Sequence, residues 1–124
     1  MTNTESSLNS ATYQTHDMKL NNAPFYLIKS GRKTVEMRLN DEKRQVIKTR
    51  DHIRFVNVRT GEELLTRVLD REVYPSFYEL YKEYDKISIG YGENDTPNPS
   101  DMLEYYTKEN IVKYGALALI IELV

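Results

Sequence analysis

At 124 residues, 40% hydrophobic, 29% charged and with a net charge of −2, the chain has the size and composition of one soluble domain with a single core. It contains no cysteine and only two histidines, His16 and His52, which excludes disulfides and the usual zinc ligand sets; no cofactor is expected, and a carboxylate-bound magnesium is the only metal chemistry left open. No apolar run is long enough to span a bilayer, and the polar stretch from Met1 to Ser10 has neither a basic leader nor an apolar core, so membrane insertion and export are not expected and the cytoplasm is the default location.

Residues 1–11 are rich in Ser, Thr and Asn and read as a flexible tail, with one domain expected over 12–124. Tyr13 to Leu20 suits a strand that puts His16, Met18 and Leu20 on one face, where His16 is read as a structural hydrogen-bonding group. Asn22-Ala23-Pro24 marks a helix start, Phe25 and Ile28 supply its apolar spacing, and Gly31 ends it. Residues 34–39 then alternate, with Val35, Met37 and Leu39 on a core face and Thr34, Glu36 and Arg38 on a polar face free to line a cleft. Asn40 to Thr49 is a polar, basic connection anchored by Val46 and Ile47. His52 to Val58 reads as a strand, Arg59-Thr60-Gly61-Glu62 as a hairpin turn and Leu64 to Tyr74 as the partner strand.

Ser76 with Glu79 forms a capping-box pattern ahead of a second helix, on which Phe77, Leu80, Tyr81 and Tyr84 fall at core spacing. Gly90 to Pro99 has two glycines and two prolines and is read as a loop or mobile lid, with Tyr91 held between Gly90 and Gly92. Ser100 is expected to cap a short helix through Tyr106, another turn or two follows from Thr107 to Tyr114, and Gly115 stops it. Ala116 to Leu123 is apolar at nearly every position, which suits a central strand buried on both faces.

The segment that concentrates chemistry is Gly31-Arg32-Lys33-Thr34-Val35-Glu36-Met37-Arg38. It fits the pattern G-x-K-x-x-E-x-R, filled by Gly31, Lys33, Glu36 and Arg38. In its ordered context, from His16-Asp17-Met18-Lys19-Leu20 through Pro24-Phe25, Arg38-Leu39-Asn40-Asp41 and Ser76-Phe77 to Tyr105-Tyr106 and Tyr114-Gly115, the chain resembles small bacterial proteins of the activating-signal-cointegrator homology (ASCH) family. These are relatives of the PUA domains that bind RNA. The resemblance covers roughly residues 16–124 and implies an α+β, mainly β fold: a PUA-like twisted, partly closed β-barrel with peripheral helices. It also implies RNA, or a small nucleoside-containing ligand, as partner. The relatives carry glycine where Arg50 stands, so a turn requiring positive φ would strain this residue.

One branch of the family is described as hydrolysing the acetyl amide of N4-acetylcytidine with a lysine, a threonine and a glutamate. The lysine carries over onto Lys33. The threonine position holds Glu36, with Thr34 out of register, and the distal glutamate has several candidates among Glu79, Glu83, Asp85, Glu93 and Asp95. The alternative reading is therefore a small hydrolase, an amidohydrolase of this type or a ribonuclease, in which Lys33 and Glu36 activate water.

On the residues themselves, Lys33 can bind phosphate as a point charge or, if desolvated, act as a base, while Glu36 orients it and Arg38 holds a phosphate or base edge bidentately. Residues 29–54 hold nine Lys and Arg against four acids, so this segment carries +5 and the remainder −7. An anionic partner met at one place follows. Binding is assigned to Arg32, Thr34, Arg38, Asn40, Arg44, Lys48 and Tyr91, and chemistry to Lys33 and Glu36. Eight of the ten tyrosines lie between Tyr74 and Tyr114, where Tyr91, Tyr105 or Tyr106 can close the cleft and stack on a base.

Overall fold

The computed structural model describes residues 13–124; the tail expected over residues 1–11 lies outside them. Strands β1 (Thr15–Leu20), β2 (Val35–Leu39), β3 (His52–Asn57), β4 (Glu63–Tyr74) and β5 (Ala116–Leu123) form one sheet in the order β1-β3-β4-β5-β2. The helices are α1 (Asn22–Lys29), α2 (Glu42–Gln45), α3 (Phe77–Glu83) and α4 (Lys108–Tyr114), with a 3₁₀ turn over Pro99–Glu104. β1 pairs with β3 in parallel, and the remaining neighbours pair antiparallel. The sheet curls into a half-barrel, the mainly β architecture that the resemblance implies.

Two devices produce the curl. β4 carries a register shift between Val68 and Asp70, where an irregular pairing bends the strand. Its first half pairs with β3, and from Thr66 onward every residue but Leu69, at the register shift, pairs with β5. At the seam, the two edge strands are bridged by a side chain: Arg38 on β2 donates to the Lys19 carbonyl oxygen on β1 at 2.9 Å.

β5 has apolar residues on both faces because both are covered. Leu117, Leu119 and Ile121 join Phe25 and Ile28 of α1, Ile53 and Phe55 of β3 and Val68 of β4 in one buried cluster. Ala116 and Ala118, pointing the other way, join Val35, Met37, Phe77 and Leu80 in a second. Alanines at those two positions leave room for α3 to lie close to the sheet.

Several boundaries differ from expectation for local reasons. The basic connection contains the short helix α2, because Asp41 caps it by accepting from the Arg44 amide. Of its two expected apolar anchors only Ile47 is buried; Val46 is 56% exposed. The Ser76 and Glu79 side chains bond each other, and neither reaches the backbone as a capping box would. Asn98 caps the turn that Ser100 was expected to cap, accepting from the Ser100 amide at 3.0 Å, and Pro99 in its first position favours that start.

Arg50 has φ 79°, the one positive φ outside glycine among the described residues, and its amide donates to the Val68 carbonyl at 2.8 Å. The next residue, Asp51, is buried and accepts from the Gln14 and Lys48 amides and bonds His16 Nε2 at 2.8 Å. His16 thus has the structural role assigned to it. The turn is over-determined by these bonds, so the side chain at residue 50 must tolerate the left-handed region. Arg50→Gly is expected to raise the melting temperature by a few degrees, whereas Arg50→Ala, which keeps the Cβ in the same strained position, should not; thermal denaturation of both variants checks this.

Candidate functional site

β2 sits at the sheet edge, and its register sets what faces where. Glu36 lies opposite Leu119 and Arg38 opposite Leu117, so both polar side chains share the face of the first buried cluster. The polar face of this strand is therefore turned into the curl of the sheet. Glu36 is left only 3% exposed, Lys33 9% and Arg38 14%.

A buried carboxylate at that position requires positive charge. Arg38 Nε donates to Glu36 Oε2 at 2.7 Å, and Lys33 Nζ lies 2.6 Å from Oε1. The lysine contact closes the second carboxylate oxygen, so each Glu36 oxygen faces one cation and is sealed from solvent. Burial pushes the Glu36 carboxyl up, but Lys33 and Arg38 together outweigh it and hold the group below the ordinary carboxylate range. Lys33 is delivered from the turn after α1, where the Arg32 and Lys33 amides both donate to the Leu27 carbonyl. Its stem runs along Gly90, where an added Cβ would come within 3.2 Å of Lys33 Cδ.

Around this cluster lies a cleft of about 640 Å³, running from the end of β1 past β2 to the 3₁₀ turn. Tyr81, Tyr91, Tyr105 and Tyr106 line it together with Lys33, Glu36 and Arg38. Its ionisable residues balance: Lys19, Lys33 and Arg38 against Glu36, Asp101 and Glu104.

Four of the expected site residues, Lys33, Glu36, Arg38 and Tyr91, thus meet in one cleft, and the other five do not line it. Arg32 and Thr34 are exposed on the turn before β2. Asn40 accepts from Arg71 NH2 at 2.8 Å and holds the connection against β4. Arg44 is paired with Asp41 beside a smaller depression lined by His16 and Lys43, and Lys48 is exposed. Tyr81, expected as core, is half-buried, packing against the second cluster while also lining the cleft.

The expected lid is fastened at several points. Lys86 Nζ donates to the Glu93 and Asp95 carbonyls, the Gly92 amide to Asp95 Oδ2, and the Tyr91 hydroxyl to Asp101 Oδ2 at 2.6 Å. Tyr91 is accordingly tethered and does not swing freely between its glycines. Lys19, Asp101 and Glu104 are cleft residues that sequence reasoning missed. For Lys19 a signal existed, since it lies between two core positions of β1 and so belongs to the opposite face. For the two acids there was none.

The basic segment is also less free than its sum. Lys29, Lys33, Arg38, Arg44 and Arg54 are each paired with a carboxylate, leaving Arg32, Lys43, Lys48 and Arg50 without an acid within 4.0 Å among the described residues. Among the described residues no group of three His, Asp or Glu is gathered to hold a metal ion, and no helix is long and apolar enough to cross a membrane.

Removing either cation leaves the Glu36 charge buried with half its compensation, so truncating Lys33 or Arg38 costs the fold stability as well as altering the cleft. Arg38→Ala should cost about 3 kcal/mol at neutral pH, and adding Glu36→Gln should recover a large part of it; a double-mutant cycle by chemical denaturation measures the coupling. Because the Glu36 and Asp51 carboxyls are both depressed in the folded state, their stabilisation is complete above the unfolded values near about pH 4 and is lost as pH falls through the folded ones. Stability should decline below about pH 4, less steeply in Glu36→Gln than in the wild type.

The ASCH domain family model matches residues 18–124. The crystal structure of hypothetical protein PH0355 is similar at 31% identity with a TM-score of 0.75, covering 89% of this chain and 99% of that one. The solution structure of protein PF0455 from Pyrococcus furiosus is similar at 32% identity with a TM-score of 0.71, over 89% of this chain and 97% of that one. A crystal structure of ASCH from Zymomonas mobilis, 15% identical with a TM-score of 0.56 over 86% of this chain and 66% of that one, shares the fold alone. No curated protein matches the chain. With a family model matched along nearly all the described residues and two similar proteins covered almost end to end, the chain belongs to the ASCH domain family, which is generally associated with RNA binding.

Proposed function

We propose that the cleft at the sheet seam binds one nucleoside unit, either a free nucleoside-containing ligand or a single unpaired nucleotide of an RNA, and that the protein serves RNA metabolism through this capture. The observation that carries the reading is the presence of four tyrosines and the Lys33–Glu36–Arg38 cluster in one cleft of about 640 Å³. That volume is within the range of small-molecule sites. Its charges cancel, which suits a base and sugar better than a run of phosphates. Tyr105, 61% exposed at the rim, offers a face for stacking, while the cluster meets the polar edge of the ligand.

Hydrolysis is the second reading, and the observation in its favour is the lysine and carboxylate held 2.6 Å apart on the wall of the same cleft. Against it stands the depressed Glu36 carboxyl: a general base works best with a pKa near the operating pH, and this one is held in the opposite direction. Binding without turnover is therefore the favoured function. Turnover of an N-acyl nucleoside by the wild type, lost in Glu36→Gln with affinity largely kept, would establish the hydrolase instead.

Tyr105→Ala removes an exposed ring and should leave the fold unchanged while weakening binding of a short single-stranded RNA about tenfold. Calorimetric or fluorescence titration with circular dichroism as the control reads both quantities, and unaltered affinity would remove the stacking role. The salt dependence should be shallow, with log K against log salt falling with a slope of about −1, as one or two phosphate contacts require. A slope of about −3 would move the site to the unpaired basic residues Arg32, Lys43, Lys48 and Arg50.

A further inference from the structure

One wall of the cleft contains a chain of three groups whose proton positions are dictated by the last of them. Asp101 Oδ2 lies 2.6 Å from the Tyr91 hydroxyl, which lies 2.9 Å from the Tyr81 hydroxyl. A carboxylate accepts hydrogen bonds and cannot donate them, so the Tyr91 proton is directed to Asp101. The Asn98 carbonyl, 3.3 Å away and also an acceptor, competes for that same proton and supplies none. The Tyr91 oxygen is then an acceptor toward Tyr81, and Tyr81 must give its single proton to Tyr91. What Tyr81 has left for the cleft is lone-pair density alone.

The arrangement is held in place from several sides. The rings of Tyr81 and Tyr91 meet edge to face with centroids 5.9 Å apart, and Tyr81 packs against the second buried cluster. Burial pushes both phenols up, and for Tyr91 the bond to Asp101 adds to it, so both keep the protons that define the chain. An oxo group placed against Tyr81 would set lone pairs against lone pairs, whereas an amino group would complete the chain.

We propose that the cleft selects nucleobases bearing an exocyclic amino group, with Tyr81 as the specificity-determining residue and Asp101, acting through Tyr91, as the positioning residue that fixes its polarity. The inference rests on the nucleoside reading given above. It assigns a ligand class by hydrogen-bond direction: a donor is required where Tyr81 faces the cleft.

Two nucleoside pairs test it on the full chain. Cytidine against uridine exchanges the donor at C4 for an acceptor while turning the N3 acceptor into a donor, and adenosine against purine riboside deletes the exocyclic donor alone, which makes it the cleaner pair. The amino member of each pair should bind about tenfold more tightly or better, and Tyr81→Phe should bring each pair to within about twofold by weakening the amino member. Asp101→Ala removes the stronger acceptor and leaves the Tyr91 proton only the longer contact to the Asn98 carbonyl, which loosens the Tyr81 rotor, so uridine should tighten. A purely structural role for Asp101 would not produce that gain. Equal affinities within both pairs, with amide shifts perturbed at Lys33 and Tyr105, would overturn the polarity argument and leave nucleoside binding standing. Absence of any perturbation by all four nucleosides would overturn both.

Discussion

A carboxylate that is almost wholly withdrawn from water must be answered by positive charge, and the place where the chain answers it organises the rest of the molecule. Glu36 lies on an edge strand whose register turns it inward, and its two cations come from different directions: Lys33 from the turn before the strand, Arg38 from two residues further along it. Arg38 then spends a second donor on the Lys19 carbonyl across the seam. One ion cluster therefore satisfies the buried charge, ties together the two edges that no strand ladder joins, and supplies the polar floor of the cleft.

The same cluster limits how much of the basic segment is free to meet phosphates. A charge counted along a sequence is an upper bound on the charge available to a partner, because folding pairs much of it internally. Five of the nine basic residues between positions 29 and 54 are engaged in this way. Those left unpaired sit outside the cleft, which is electrically balanced. The nucleoside proposed to bind there would be recognised by stacking and by the direction of hydrogen bonds.

What could be read from the sequence was what depends on local periodicity. The alternation over Val35 to Leu39, the apolar run of β5 and the spacing of Phe77 and Leu80 each report a single element, and each element formed within a residue or two of expectation. The strain on Arg50 was legible on different grounds, from the glycine that the family likeness puts at that position. Pattern alone misjudged exposure on β2: alternation tells which residues share a face and not which face looks inward, and only the pairing with β5 decided that Glu36 would be buried. Asp101 and Glu104 escaped notice because their relevance arises from where the 3₁₀ turn folds back, a long-range event without a local signature. Tyr91 lines the cleft, but its tether depends on Asp101, a partner that spacing does not reveal.

The position of β5 has a bearing on how the molecule comes to exist at all. It is the last strand in the chain, yet it lies between β4 and β2, and every pairing of β2 within the sheet is made to it. Until residues 116–123 are available, β2 has no partner, Glu36 has no reason to be turned inward, and the seam that Arg38 closes cannot form. Contacts between segments so distant along the chain are slow to establish, because loop closure must be met before any burial is gained. The cleft is thus a late product of folding, and a chain in which β5 has not yet docked, however well its first hairpin has formed, does not contain it.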